Sequence, residues 1–355
     1  MNILITKFKT HGDVLLLTPL IKNLRLNLPK AKIDVLLDYK YESILQNNPH
    51  INKIIFFYKS GSYGADFMNF VKLIHKIRKH RYDLFISTDR GDRSALISFL
   101  CAAKRRIGRP DKEIFFHRFA FDDHFYPQNE RHVIDLNLDP LRILQLRIFS
   151  KGLDLYHLEE DWKNVSGYVS SFGKFVHIHP VSLGMYKCLN SLAVAKIIDF
   201  IEFNLRLKTV ITSSDKPEEL NEVGKILNQV RSNPINLSGK LSIPQLSTLN
   251  KMSVLTISVD TLISHIASAN DVPTIIFFGP TAVNNWGPWD KNYKTNRYLK
   301  SGGNQSFGKH TVVIQEKNCI PCSKIGCNNS GLSECLIYDD FSKIEKLIKE
   351  KLACA

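Results

Sequence analysis

Met1-Asn2-Ile3-Leu4-Ile5-Thr6-Lys7-Phe8, followed by Lys9-Thr10-His11-Gly12-Asp13-Val14-Leu15-Leu16-Leu17-Thr18-Pro19, is the stretch whose reading decides the fold. Its first eight residues read as a buried strand. Val14 to Leu26 reads as a helix, with apolar residues at Leu17, Leu20, Ile21 and Leu24. Strand, glycine turn and helix form the opening unit of a parallel α/β domain, which binds ligands at the carboxyl ends of its strands. Asp13 stands at that end, and two readings of it remain: a carboxylate in a ligand crevice, or an N-cap complementing the positive helix end.

Outward from this unit the alternation continues. Strand-like Ile33–Leu37, Ile54–Phe57 and Leu84–Ser87 enclose a helical pattern from Asp66 to His80, which argues for a doubly wound sheet. The pattern weakens between Gly152 and Gly173, where a hinge is expected. A second series then runs through strand Phe175–His179, helix Leu192–Leu205, strand Thr209–Thr212, helix Glu218–Val230, helix Ile243–Met252, strand Leu255–Ser258, helix Leu262–Asn270 and strand Thr274–Phe278. The expectation is an α/β protein of two Rossmann-like domains, 1–165 and 172–338, facing one another across a cleft, with a closing amphipathic helix in 339–355. The length of 355 residues suits two domains.

No apolar run of eighteen residues and no signal-like N-terminus occurs, so an intracellular, soluble chain is expected. The formal charge of +14 is concentrated between Lys72 and Arg118. It reads either as a solvated surface or as attraction to phosphates, carboxylated sugars or an anionic membrane face. Nucleic acid is not expected, because no zinc-finger spacing, RNP-like aromatic motif or basic heptad region accompanies the charge.

Candidate chemistry concentrates in the second half. In Ser258-Val259-Asp260-Thr261-Leu262-Ile263-Ser264-His265 a strand runs straight into a helix, whose free backbone N–H groups suit a pyrophosphate. Asp260 would repel phosphate and so suits sugar hydroxyls; Thr261 suits cap and ligand alike; His265, one turn on, faces either cleft or core. Gly279-Pro280-Thr281 ends the next strand, so two strand ends converge on one crevice. After Phe175–His179 come Ser182 and Lys187; the lysine reads either as an exposed side chain or as a counter-charge to a diphosphate. Asp215 is a weaker candidate for nucleotide contact. No Walker loop or dinucleotide fingerprint is present. Cys319, Cys322, Cys327 and Cys335 have spacing compatible with tetrahedral zinc, and equally with reduced thiols.

Gly12-Asp13-Val14-Leu15-Leu16-Leu17-Thr18-Pro19, Asp260-Thr261 with Ser264-His265, and Phe278-Gly279-Pro280-Thr281 with Trp286 and Pro288 resemble the lipopolysaccharide heptosyltransferases of glycosyltransferase family 9. His179-Pro180, Ser182, Lys187-Cys188 and the cysteine-bearing stretch are most similar to the heptosyltransferase III group. The resemblance implies a GT-B fold, with acceptor bound by the N-terminal domain and ADP-heptose by the C-terminal one. It further implies inverting transfer of heptose from ADP-L-glycero-D-manno-heptose to an inner-core heptose of lipopolysaccharide, without metal or cofactor, on the cytoplasmic face of the bacterial inner membrane. By position, Asp13 becomes the general base and Lys187 the diphosphate contact. Asp260, Thr261 and His265 become donor-sugar and phosphate contacts, and cleft closure would assemble the site. Two stretches depart from the family pattern, Leu262 and Leu183-Gly184. They leave open a different nucleotide-sugar donor, and a non-catalytic nucleotide-sugar or polyanion-binding protein is the remaining alternative.

Overall fold

The computed structural model describes residues 1–59, 61–126 and 130–353, and divides into two compact units, Met1–Tyr156 and His157–Ala355. In the first unit the strands are β1 (Asn2–Lys7), β2 (Lys32–Asp38), β3 (Lys53–Phe57), β4 (Leu84–Ser87), β5 (Arg105–Gly108) and β6 (Asp123–His124). They form a six-stranded sheet in the order β3-β2-β1-β4-β5-β6, with every pairing parallel. Because helices cover both faces of such a sheet, its central strands are apolar throughout rather than alternating. Ile3, Leu4 and Ile5 of β1 and Phe85 and Ile86 of β4 are accordingly without solvent exposure. The chain winds from β1 to β3 on one side and from β4 to β6 on the other, so the topological switch lies between β1 and β4.

The single helix expected from Val14 to Leu26 is two, His11–Leu15 and Thr18–Asn27. Pro19, in the first turn of the second helix, has no N–H with which to continue the ladder of the first, yet suits a helix start. Thr10, not Asp13, is the N-cap of the first helix: its side chain accepts the Asp13 N–H.

The second unit holds β7 (Phe175–His179), β8 (Lys208–Ile211), β9 (Ile235–Asn236), β10 (Leu255–Val259), β11 (Thr274–Phe278), β12 (Gln305–Phe307) and β13 (His310–Ile314). The sheet order is β12-β13-β11-β10-β7-β8-β9, parallel except for the β12–β13 pair. Its switch lies between β7 and β10. The short strands β5, β6, β9, β12 and β13, at or next to the sheet edges, went unread in the sequence. At two to five residues each, they carry too little pattern to stand out.

The weakly patterned stretch expected as a hinge contains the helix Glu159–Val169, whose Val165 and Val169 join Phe175, Val210, Leu237 and Leu249 in the second core. The division between units therefore falls between Tyr156 and His157 rather than at 165–172. The terminal helix is Ser342–Ala353, burying Ile344 and Ile348; residues 354 and 355 of the expected 339–355 segment lie outside the described residues.

Candidate active site

In the first unit, Asp13 follows β1, Thr88 and Asp89 follow β4, and Arg109 follows β5, so neighbouring strands deliver them to one edge of the sheet. The Thr10 hydroxyl donates to Asp13 Oδ2 at 2.8 Å and accepts the Asp13 amide at 3.3 Å. This exchange holds one carboxylate oxygen and leaves the other, Oδ1, 4.0 Å from Lys7 Nζ. Lys7 is buried; its ammonium donates to Thr88 Oγ1 at 3.1 Å and lies 3.4 Å from Asp89 Oδ1. Asp89 in turn accepts the Phe8 amide at 2.7 Å. One buried ammonium is thus shared between two carboxylates, and the Asp13 side chain retains 12% exposure, enough to meet a ligand. Nearby, burial lowers the His11 imidazole below its ordinary range, and its Nε2 lies 3.0 Å from the Lys40 carbonyl.

In the second unit, residues following four consecutive strands, β11, β10, β7 and β8, include every C-terminal candidate but His265, which stands further along the helix after β10. Lys187 Nζ donates to Asp260 Oδ2 at 2.8 Å. One oxygen of Asp260 thus meets an ammonium, and Lys187 is not the freely exposed lysine of one reading. Thr261 is the N-cap of helix Leu262–Asn270 in extended conformation, yet its hydroxyl makes no capping bond, so the helix N–H groups are not occupied by it. His265 is buried on that helix, 5% exposed. Ser182 is buried; its hydroxyl accepts the Gly184 amide at 3.4 Å and its own amide meets Cys188 Sγ at 3.2 Å. Asp215 is exposed beyond β8, and Thr281 is partly exposed beyond β11.

Gly279 is small for a packing reason: a Cβ there would stand 2.8 Å from Leu336 Cδ1 and 3.2 Å from Cys335 Sγ. Behind the strand ends lies a buried network. Thr212 Oγ1 is 2.8 Å from His177 Nε2 and 2.9 Å from His179 Nδ1, while Asn250 Nδ2 reaches Thr256 Oγ1 at 2.7 Å. Desolvation pushes His177 down to about 3 and His179 to about 4, so both are neutral near pH 7.

The four cysteines expected as a possible zinc set do not form one: among the described residues no group of three or more His, Cys, Asp or Glu is placed to hold a metal ion. Cys335 is buried against Gly279, while Cys319 is exposed. Burial, with the other three thiols adding to it, pushes Cys335 up to about 11.

A family model described as glycosyltransferase family 9 (heptosyltransferase) matches residues 70–315. Lipopolysaccharide heptosyltransferase 3 of Escherichia coli K12 is 31% identical over 291 residues, covering 79% of this chain and 83% of the relative. The chain belongs to glycosyltransferase family 9. Among solved structures, a family 9 glycosyltransferase from Veillonella parvula superposes with a TM-score of 0.83 at 21% identity, covering 100% of this chain and 98% of that one. E. coli heptosyltransferase WaaC with ADP-2-deoxy-2-fluoro heptose superposes with a TM-score of 0.65 at 15% identity, each chain 99% covered. The fold of this family 9 glycosyltransferase is thus GT-B, with two Rossmann-like units.

Sequence reasoning singled out Asp13 in this glycosyltransferase but passed over Lys7, Thr88, Asp89 and Arg109. Their signal was available, since each ends a parallel strand or lies within two residues of its end. Lys7 was read only as part of a strand, and Asp89 and Arg109 only as members of a charge run. Chemically, the first unit offers a partly exposed carboxylate held by Thr10, and the second an ammonium beside a helix start.

Proposed function

We propose that this glycosyltransferase moves heptose from ADP-L-glycero-D-manno-heptose to an inner-core heptose of lipopolysaccharide, with inversion. The observation that carries the reading is the Lys187–Asp260 pair at the start of helix Leu262–Asn270, in a chain related to a lipopolysaccharide heptosyltransferase. A diphosphate at that helix start meets free N–H groups, the positive helix end and the Lys187 ammonium.

In the transfer step Asp13 takes the proton of the acceptor hydroxyl, and the oxygen lone pair forms the bond to the anomeric carbon. The bond from that carbon to the diphosphate oxygen breaks and ADP departs with its electron pair. Positive charge at the leaving group and a base at the nucleophile are the two requirements of such a displacement. Thr10 keeps Asp13 oriented, and Ser182, Thr261, His265 and Thr281 are the further donor contacts of this reading; Asp215 and Gly279 belong to its periphery.

No described helix is long and apolar enough to cross a membrane. Work at the cytoplasmic face of an anionic inner membrane is supported by the helix Tyr63–Lys79, which exposes Tyr63, Phe67, Met68 and Val71 beside Lys72, Lys76 and Lys79. Aromatic and basic residues together suit the interface of a negatively charged leaflet. The deciding experiment is turnover on a heptose-terminated core acceptor with ADP-heptose, UDP-sugar and GDP-sugar donors. ADP-heptose is expected to be preferred, and preference for another donor overturns the assignment.

A further inference from the structure

We propose that Arg109 is an acceptor-binding residue, whose guanidinium receives an oxyanion, a phosphate monoester or a carboxylate, carried by the same molecule whose hydroxyl Asp13 deprotonates. This rests on the function proposed above and adds to it the charge that the acceptor must bear.

Arg109 directly follows β5 and so stands beside the ends of β4 and β1. It lies within electrostatic reach of Asp89, Asp13 and Asp139, with Arg90 close enough to oppose it. Six other arginines of the same unit are engaged. Arg90 forks onto Asp111 at 3.1 and 3.0 Å, Arg106 forks onto Asp122, and Arg105 reaches Asp123 at 2.7 Å. Arg131 and Arg142 both bind Asp139, and Arg93 lies over the rings of Phe8 and Phe57.

Arg109 alone of these keeps Nε buried without a hydrogen-bond partner among the described residues. Desolvation weakens its hold on the proton, yet a guanidinium stays charged in proteins. A guanidinium on a half-buried side chain whose Nε is shut off from water without a partner is a costly arrangement to maintain, and its complement is a planar or tetrahedral oxyanion bound by two parallel N–H groups. Lys7 cannot take that role, being engaged by Thr88 and Asp89. Asp13 is near enough to feel the charge but makes no bond to it, so an anion on Arg109 would leave the base free.

The test compares wild type, Arg109→Gln and Arg109→Lys on three forms of a deacylated core oligosaccharide acceptor: untreated, phosphatase-treated and carboxyl-reduced. Acceptor affinity is read by calorimetry and KM and kcat by turnover, with ADP affinity as the check on folding. Arg109→Gln is expected to weaken binding of the untreated acceptor and raise its KM tenfold or more, with kcat and ADP affinity within twofold of wild type. Arg109→Lys should recover part of the loss. The difference between wild type and Arg109→Gln should vanish on the phosphatase-treated acceptor if the anion is phosphate, and on the carboxyl-reduced one if it is carboxylate.

Equal acceptor affinity in wild type and Arg109→Gln, an equal loss on all three acceptors, or a loss of ADP affinity with the acceptor untouched overturns the proposal. Should either variant not fold, wild type alone decides: it must lose affinity when one of the two anions is removed, and equal affinity for all three overturns the proposal. Wild type that binds ADP yet transfers no heptose to any form refutes the heptosyltransferase reading instead.

Discussion

Lys187 Nζ and Asp260 Oδ2, 73 residues apart in sequence, meet at 2.8 Å where β7 and β10 end side by side. The Asp260 side chain is 8% exposed, so its negative charge is sustained by the lysine more than by water. In the proposed function, a donor diphosphate arriving at this point would compete with Asp260 for the same ammonium.

Lys187→Ala should therefore act twice. ADP affinity is expected to fall at least tenfold, measured by calorimetry, as the counter-charge to the diphosphate is lost. Stability should fall by roughly 1–3 kcal/mol in urea unfolding, because Asp260 is left buried without its partner. Unchanged ADP affinity would remove Lys187 from the donor site.

Asp13→Asn keeps an oxygen to accept the Thr10 hydroxyl, and Thr10 still caps the helix. Melting temperature should stay within a few degrees of wild type. Turnover should drop by about 10²–10⁴-fold, the usual worth of a general base. Turnover retained in Asp13→Asn would rule out proton transfer to this carboxylate.

Gly279→Ala distinguishes packing from ligand contact. The added methyl meets Leu336 and Cys335, and overpacking of this kind costs about 1–3 kcal/mol. Leu336→Ala removes the nearer obstacle, so in the double variant most of the cost specific to Gly279→Ala should disappear, as read from a double-mutant cycle of urea midpoints. A loss of donor affinity that persists in the double variant would place Gly279 against the ligand instead.

The buried histidines set a pH dependence of stability. His177 is held at about 3, and His179 and His310 at about 4, each by desolvation. Above the unfolded value near 6.5 both states are neutral and these groups contribute nothing. As pH falls below it, the unfolded chain binds protons that the folded chain refuses, so stability declines by up to about 1.4 kcal/mol per pH unit for each histidine. Urea midpoints should fall steadily from pH 6.5 towards 4, and His310→Gln should flatten part of that slope. An unaltered slope in His310→Gln would mean that this ring is protonated in the native state.

The central strands were readable because their information is local: Ile3–Ile5, Ile33–Leu37, Leu84–Ser87, Phe175–His179 and Thr274–Phe278 are apolar runs that suit a sheet buried on both faces. The same runs located Asp13, Asp260, Thr261 and Gly279, because strand ends in such a sheet are where ligands bind. The boundary between units was not readable, since Val165 and Val169 reveal their partners only when Phe175 and Leu249 pack on them.

By itself the sequence determined two α/β units and the carboxylate that follows the first strand. Only the tertiary structure decided that Lys7 and Asp89 attend that carboxylate, that Arg109 comes within electrostatic reach of Asp13 and Asp89 with its Nε unpaired among the described residues, and that Lys187 is bound to Asp260. Apolar periodicity is written within a few neighbouring residues. The order of strands in a sheet, which brings Asp89 to Phe8 across 81 residues, is settled by long-range packing that no local pattern encodes.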